Sequence, residues 1–368
     1  MPVNSNGTTV TAWGAGKTVS KTDGINYGQS IIPMDLTNAA MIASGWSQSL
    51  ALLTNNAIQS WGSNILGNAD FPAASNYESI ACGKLHSMAL RTNGTIVAVG
   101  DDEYGQVDVP VNLTNDNIVA VSCGLYSSLV LKSDGTLSAW GGEGTVDYGQ
   151  GTVPNGISNI VAVSAGGYFN LVLKSDGTVF AWGGQNVGET NVPAGLSNVV
   201  AIAAGGWHSL ALKSNGTIVA WGLNGDGQAD VPANATNIVA VACGLYHSLA
   251  LKSNGTVIAW GYNVYGETNV PAGLTNVIQI TAGQYNSMAL VGNGPPTTHA
   301  SLVYPTFGTN GFSTLLPTQN GRVYQLEYKN SLPYGSWQPL ALHAGTGRDL
   351  ILTDPEITSQ RFYEAQRW

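Results

Sequence analysis

Charge is scarce in this chain. Of 368 residues only 13 are Lys or Arg and 22 are Asp or Glu, giving a charged fraction of 10% and a net charge of −9. Phosphate binding draws on clustered Lys and Arg, so nucleic acid is not an expected partner. Cysteine is rarer still, with three residues, too few on their own to complete a four-thiolate structural metal site. No apolar run approaches the ~20 residues of a membrane span. The charged-then-apolar layout of a signal peptide is missing from the N-terminus, which says little about export. Also absent are a Ser-His-Asp elbow, a phosphate-cradling glycine loop, a paired-Cys motif and any helical periodicity. An enzyme is not expected, and neither a cofactor nor a metal is implied.

Glycine, by contrast, is abundant at 47 residues, and it recurs at fixed places. One phrase is written seven times, most clearly as Gly205-Gly-Trp-His-Ser-Leu-Ala-Leu-Lys-Ser-Asn-Gly-Thr-Ile-Val-Ala-Trp-Gly222. Its opening glycine returns at Gly45, Gly83, Gly124, Gly166, Gly205, Gly244 and Gly283, at steps of 38, 41, 42, 39, 39 and 39 residues. Such a period marks a repeat architecture.

Each copy holds three short runs rich in apolar or β-branched residues, which read as strands. The second and third are joined by Asn93-Gly94, Asp134-Gly135, Asp176-Gly177, Asn215-Gly216 or Asn254-Gly255, a pattern that predicts two-residue turns with positive φ at both positions. Short antiparallel sheets repeated radially make a β-propeller. The last copy, Val277 to Leu290, supplies only two strands, and residues 6–14 at the other end of the chain carry the missing Thr-Val-Thr-Ala-Trp-Gly run. The expected fold is therefore all-β: a seven-bladed propeller over residues 1–293, closed by the N-terminal strand. A linker over 294–300 and a small β-sandwich-like accessory domain over 301–368 follow. In that domain the strand candidates are Val323–Tyr328, Ser336–Leu342, Asp349–Thr353 and Arg361–Gln366.

Strand direction assigns the loops to two faces. The Gly-x-aromatic loops and the Asn-x-x-Gly-Gln/Glu loops share one face, and the Asn-Gly turns line the other. On the turn face Arg91, Lys132, Lys174, Lys213 and Lys252 recur once per blade and read as a solubilising ring. The loop face carries Trp46, Tyr126, Tyr168, Trp207, Tyr246 and Tyr285 from the first loop set and Tyr27, Tyr104, Tyr148 and Tyr265 from the second. Asp101, Asp102, Glu103, Asp147, Glu189, Asp226 and Glu267 are expected among them. Tyr and Trp bury much area with few rotors, so they are natural binding anchors. The predicted partner site is Trp46, Tyr104, Tyr126, Tyr148, Tyr168, Trp207, Tyr246, Tyr265, Tyr285 and Asp226. The tryptophans of the Ala-Trp-Gly column (Trp13, Trp61, Trp140, Trp182, Trp221, Trp260) read instead as wedges between blades. His86, His208 and His247 share a column with Gln48, Ser127, Phe169 and Asn286 and read as structural hydrogen-bonders. Cys82, Cys123 and Cys243 occupy a slot that Ala and Ser also fill, as small core residues do. A bond between Cys82 and Cys123, in adjacent blades, stays open.

The repeated phrase followed by Asn-x-x-Gly-Gln resembles the regulator of chromosome condensation repeat over about residues 6–291. The short period and the linker Asn-Val-Pro-Ala-Gly-Leu (Asn191–Leu196, Asn269–Leu274) resemble most the bacterial short-repeat branch, which includes a β-lactamase inhibitory protein of seven blades. That resemblance implies a non-enzymatic protein-binding role through loop-face aromatics, with a β-lactamase or penicillin-binding protein as the first target to test. A glycan, held by exposed rings beside carboxylates, is the alternative ligand. An extracellular or envelope partner, export from a bacterium and a monomeric state complete the expectations.

Overall fold

The computed structural model describes residues 7–19, 25–113, 117–294, 296, 299–300, 302–308, 311–317, 323–330, 336–345, 349–355 and 361–368. Asn6, Pro295 and Ser301, which the sequence reading places in the closing segment, the linker and the accessory domain, lie outside the described residues.

Seven three-stranded antiparallel sheets follow one another, and six are consecutive in the chain. Blade 1 is Ala39–Ser44, Gln48–Leu53 and Ile58–Gly62; blade 5 is Val199–Ala204, His208–Lys213 and Ile218–Gly222. Blade 7 is composite. Its inner strands are Val277–Ala282 and Asn286–Val291, and Thr9–Gly14 pairs antiparallel with the latter, from Thr9 opposite Val291 to Gly14 opposite Asn286. The middle strand of every blade is buried on both faces except at its last residue. This explains why the runs are apolar throughout rather than alternating.

The opening glycines explain why the ring closes. A Cβ built on Gly205 would lie 2.7 Å from the carbonyl oxygen of Gly244, and each glycine meets its successor in the same way around the circle. The last of them, Gly283, meets Gly45 at 2.1 Å, so the seventh blade abuts the first. Backbone hydrogen bonds stitch the same level, among them Trp46 N to Gly83 O at 3.2 Å and Gln284 N to Gly45 O at 3.2 Å. Glycine is required here because neighbouring backbones touch.

The hairpin turns differ from expectation. Gly216 N donates to Lys213 O, Lys213 N donates to Thr217 O, and only Gly216 of the Asn-Gly pair has positive φ (+78°). This is a type I turn followed by a left-handed glycine, a three-residue loop rather than a two-residue one. The Asn215 carboxamide forces that choice by accepting from Thr217 N and Oγ1 at 3.1 and 2.7 Å, a local Asx closure.

Beyond the blades lie two more sheets. One has four strands in the order His299–Ala300, Phe362–Arg367, Val323–Lys329, Gln338–Ala344, and the other pairs Val303–Gly308, Gly311–Pro317 and Asp349–Asp354. Residues 299–300 therefore already form a strand within the stretch expected as linker. Val303–Gly308 and Gly311–Pro317 were not foreseen. Phe312, Leu316, Tyr324, Leu326, Leu352 and Ala365 form their common core. The opposite face of the four-stranded sheet contributes Val323 and Leu342 to the core of blades 4 and 5, and Leu342 N donates to Ser175 O at 3.0 Å. Ser175 belongs to a hairpin turn, so these sheets seat on the turn face. There Val323, Ala344, Gly345 and Trp368 close one end of a central chamber of about 650 Å³ lined mainly by the inner strands. The loop face is left open.

Candidate functional site

On the open face the two loop sets interdigitate. The loop leaving the third strand of one blade lies beside the Gly-x-aromatic loop of the next, which brings Tyr104 to Tyr126 (ring centroids 5.1 Å apart), Tyr148 to Tyr168 (5.0 Å) and Tyr265 to Tyr285 (5.0 Å). Contacts along the inner set join these pairs: Tyr126 to Tyr168 at 5.5 Å, Tyr168 to Trp207 at 6.2 Å, Trp207 stacked on Tyr246 at 5.3 Å, and Tyr246 on Tyr285 at 6.4 Å. Eight of the nine predicted rings thus form one continuous arc.

Trp46, the ninth, is joined to the arc through a cation. Lys84 Nζ sits 4.8 Å from the Trp46 ring centroid and 4.4 Å from that of Tyr126, and hydrogen-bonds the Tyr126 hydroxyl. It bridges the gap left by Leu85, the aliphatic member of the aromatic column. The rings are half-buried rather than sealed, and Tyr148 is 46% exposed.

A buried amide or carboxylate positions each outer loop. Gln29, Gln106, Gln150 and Gln228 accept, through Oε1, the backbone N–H two residues earlier, at Tyr27, Tyr104, Tyr148 and Asp226, over 2.8–2.9 Å. Glu189 and Glu267 do the same for Val187 and Tyr265. This corrects one expectation: Glu189 and Glu267 are wholly buried braces, not surface acids, because the loop needs an acceptor at that spot and Gln or Glu both supply one. Asp226 is exposed, as expected. Burial, and after it the charge of Asp226, pushes the Tyr246 phenol up, and burial and neighbouring phenols push up Tyr262 and Tyr285. The phenols stay neutral near pH 7.

Three features of the face escaped the sequence reading. Tyr262 touches Tyr246, Tyr265 and Tyr285 at 5.8–6.3 Å. It follows the Trp-Gly pair, where other blades carry Ser63, Gly142 or Leu223, so no column advertises it. Lys84 is equally solitary. The third feature is a rim of aliphatic side chains at the outer loop tips: Ile65 (75% exposed), Leu66, Val187 and Val264 (69%). The Asn-x-x-Gly spacing held that signal, since its x positions must project from the turn.

The columns read as structural do structural work. Nε1 of Trp13, Trp61, Trp140, Trp221 and Trp260 donates to a loop carbonyl of the preceding blade, as in Trp221 to Glu189 O at 2.9 Å. His86, His208 and His247 are buried and bond Ser128, Ser248 and Ser287 of the next blade. Burial lowers His86 and His208 to about 4 and His247 to about 3. All three cysteines are free thiols, and burial pushes Cys82 up to about 12 and Cys123 and Cys243 well up. Cys82 packs with Ala43 and Leu52 of blade 1, whereas Cys123 packs with Met88 and Leu90 of blade 2, so the two side chains point the same way round the ring. Among the described residues no cluster of three or more His, Cys, Asp or Glu could hold a metal ion, and no helix is long and apolar enough to cross a membrane.

Five stretches match the regulator of chromosome condensation (RCC1) repeat: residues 77–106, 118–150, 160–189, 199–228 and 238–267. In these five stretches the chain is similar to the RCC1 repeat, and its fold is a β-propeller. Solved structures agree on this fold. Human WBSCR16 is 18% identical, with a TM-score of 0.60 over 77% of this chain and 98% of its own. Prp20p of Saccharomyces cerevisiae, described by its binding to Gsp1p and histones, is 19% identical, with a TM-score of 0.64 over 77% of this chain and 92% of its own. The ectodomain of the Physcomitrella patens receptor kinase CR4 is 20% identical, with a TM-score of 0.56 over 72% and 75%. No curated protein matches the sequence at a significant level.

Proposed function

We propose that the loop face is a docking surface for a protein partner, with Trp46, Tyr104, Tyr126, Tyr148, Tyr168, Trp207, Tyr246, Tyr265, Tyr285 and Asp226 at its centre. The observation that carries this reading is the combination of a continuous aromatic arc with exposed aliphatic tips at Ile65 and Val264. Flat rings alone suit a sugar as well as a protein, but branched aliphatic rims offer a sugar nothing to hydrogen-bond. They do extend the apolar area a protein interface needs. The turn face is partly occupied by the C-terminal sheets, which disfavours its lysine ring as the site.

The first partner to test is an exported β-lactamase or penicillin-binding protein, which would put this chain in the secreted or envelope fraction of a bacterium, acting as a monomer. Immobilised protein should retain a purified class A β-lactamase or penicillin-binding protein and lower its turnover. Trp207→Ala and Tyr246→Ala should each weaken that complex by ~2 kcal/mol or more, about thirtyfold, while Lys213→Ala leaves it unchanged. Loss on Lys213→Ala alone would move the site to the turn face. Trp207-dependent capture on a glycan array, with no protein retained, would make a carbohydrate the ligand.

A further inference from the structure

The aromatic arc has two unlike ends. At one, the chain supplies its own cation: the Lys84 ammonium lies 4.4 Å from the ring centroid of Tyr126 and 4.8 Å from that of Trp46, distances at which a ring quadrupole attracts positive charge. At the other, Tyr246, Tyr262, Tyr265 and Tyr285 form a four-ring cluster with centroids 5.0–6.4 Å apart. Among the described residues no Lys or Arg lies over any of these four rings.

The second end also carries negative charge, with no resident cation over its rings. Asp226 projects from the adjoining loop and is exposed. Glu267 sits in the loop that carries Tyr265. Its Oε2 accepts from Tyr265 N at 2.9 Å, while its Oε1 is buried and has no hydrogen-bond partner among the described residues. Every other member of that column except Glu189 is an uncharged amide, and Glu189 uses both oxygens, on Asn186 N and Val187 N. Among the described residues, blade 6 thus holds the one carboxylate of the column with an unused oxygen, alongside a four-ring cluster with no cation over it.

We propose that the Tyr246–Tyr262–Tyr265–Tyr285 cluster, flanked by the exposed Asp226 and backed by the buried Glu267, is a cation-recognition subsite that takes a Lys or Arg side chain presented by the partner protein, with Asp226 as the carboxylate that meets it. The inference rests on the loop face being the docking surface and specifies the chemistry of what docks there. Lys84 shows that rings on this face hold an alkylammonium, and the opposite end repeats the setting with four rings, an exposed carboxylate and no resident cation. An anionic segment would be repelled by Asp226, and a neutral one would leave that carboxylate unmatched.

The test is a titration of the full chain, 13C-labelled in its tyrosine rings, with n-butylammonium chloride, a lysine side-chain mimic. n-Butanol at matched ionic strength is the neutral control. Saturable shifts should appear at Tyr246, Tyr262 and Tyr285 with the cation and not with the alcohol. Affinity should fall at least threefold in Asp226→Asn, an exposed substitution that leaves the fold alone. Lys84→Met should open a second saturable response at Tyr126. Equal response to butanol, absence of saturation, or an affinity indifferent to Asp226→Asn would overturn the subsite. These outcomes are read without any partner, so the subsite can fail while Trp207-dependent protein capture persists. Conversely, capture unaffected by Trp207→Ala would remove the docking surface whatever the titration shows.

Discussion

Three imidazoles, those of His86, His208 and His247, are buried between blades with Nε2 on a serine hydroxyl of the next blade. Their depressed values of about 4, 4 and 3 make an acid-stability prediction with a definite sign. Above pH 6.5 folded and unfolded chains both carry neutral rings. Below it the unfolded chain takes up protons that the folded one refuses, so stability falls until the native sites titrate, His86 and His208 near pH 4 and His247 near pH 3. Each histidine contributes a loss on the order of 3 kcal/mol across that window. Blade 1 carries Gln48 in the same column, where its amide reaches His86 O at 3.1 Å. The triple change to Gln should therefore keep the fold and flatten the decline of urea midpoint between pH 6.5 and pH 4. An unchanged pH profile would mean that other groups govern acid unfolding.

At the scale of the element, the hairpin turns show what the pattern in the sequence could and could not reveal. Asn-Gly between two apolar runs announces a hairpin correctly. Whether the turn has two or three residues depends on the Asn side chain closing onto Thr217, a competition that the dipeptide alone does not decide. Gly216 at φ +78° is the one residue of that turn in the left-handed region, and Asn56, at φ 64°, holds the same place in blade 1. Gly216→Ala should cost about 1–2 kcal/mol in chemical unfolding, from the strain of a Cβ in that region. Gly216→Asn should cost visibly less, as Asn56 already tolerates it. Equal losses would indicate that crowding against Ile238, not backbone conformation, sets the penalty. The Gln/Glu column teaches a related lesson. Read by charge, Glu189 and Glu267 look like surface acids; read by position, they are the acceptors that hold Val187 and Tyr265. Loop aromatics that recur by column were legible, whereas Tyr262 and Lys84 occur once each, and only three-dimensional neighbours reveal them.

For the whole molecule, periodicity carried most of the architecture: the spacing of one glycine gives the blade number, the three apolar runs per copy give the strand count, and the short last copy together with residues 6–14 gives the split seventh blade. The C-terminal sheets were less legible because no repeat organises them, and their seat on the turn face depends on Val323 and Leu342, which look like ordinary strand residues. Thr9–Gly14 brings Trp13 (2% exposed) against Leu249, Leu251 and Ile280. Deleting residues 1–14 should abolish a single cooperative melting transition, because two sheet edges and an indole pocket are exposed together. A truncated protein melting sharply at the parental temperature would contradict this.

Because Trp13 donates its indole N–H to the carbonyl of Glu267, 254 positions later, this strand, made before every other strand of the blades, is among the last of them to find its place. During synthesis this segment must wait outside the exit tunnel, unpaired, until the chain has emerged past Val291. Six blades can stack on one another in that interval, but the circle stays unlatched, and a copy of the same strand from a neighbouring nascent chain would fit the vacancy equally well. Crowded polysomes are thus where intermolecular exchange of this strand would arise.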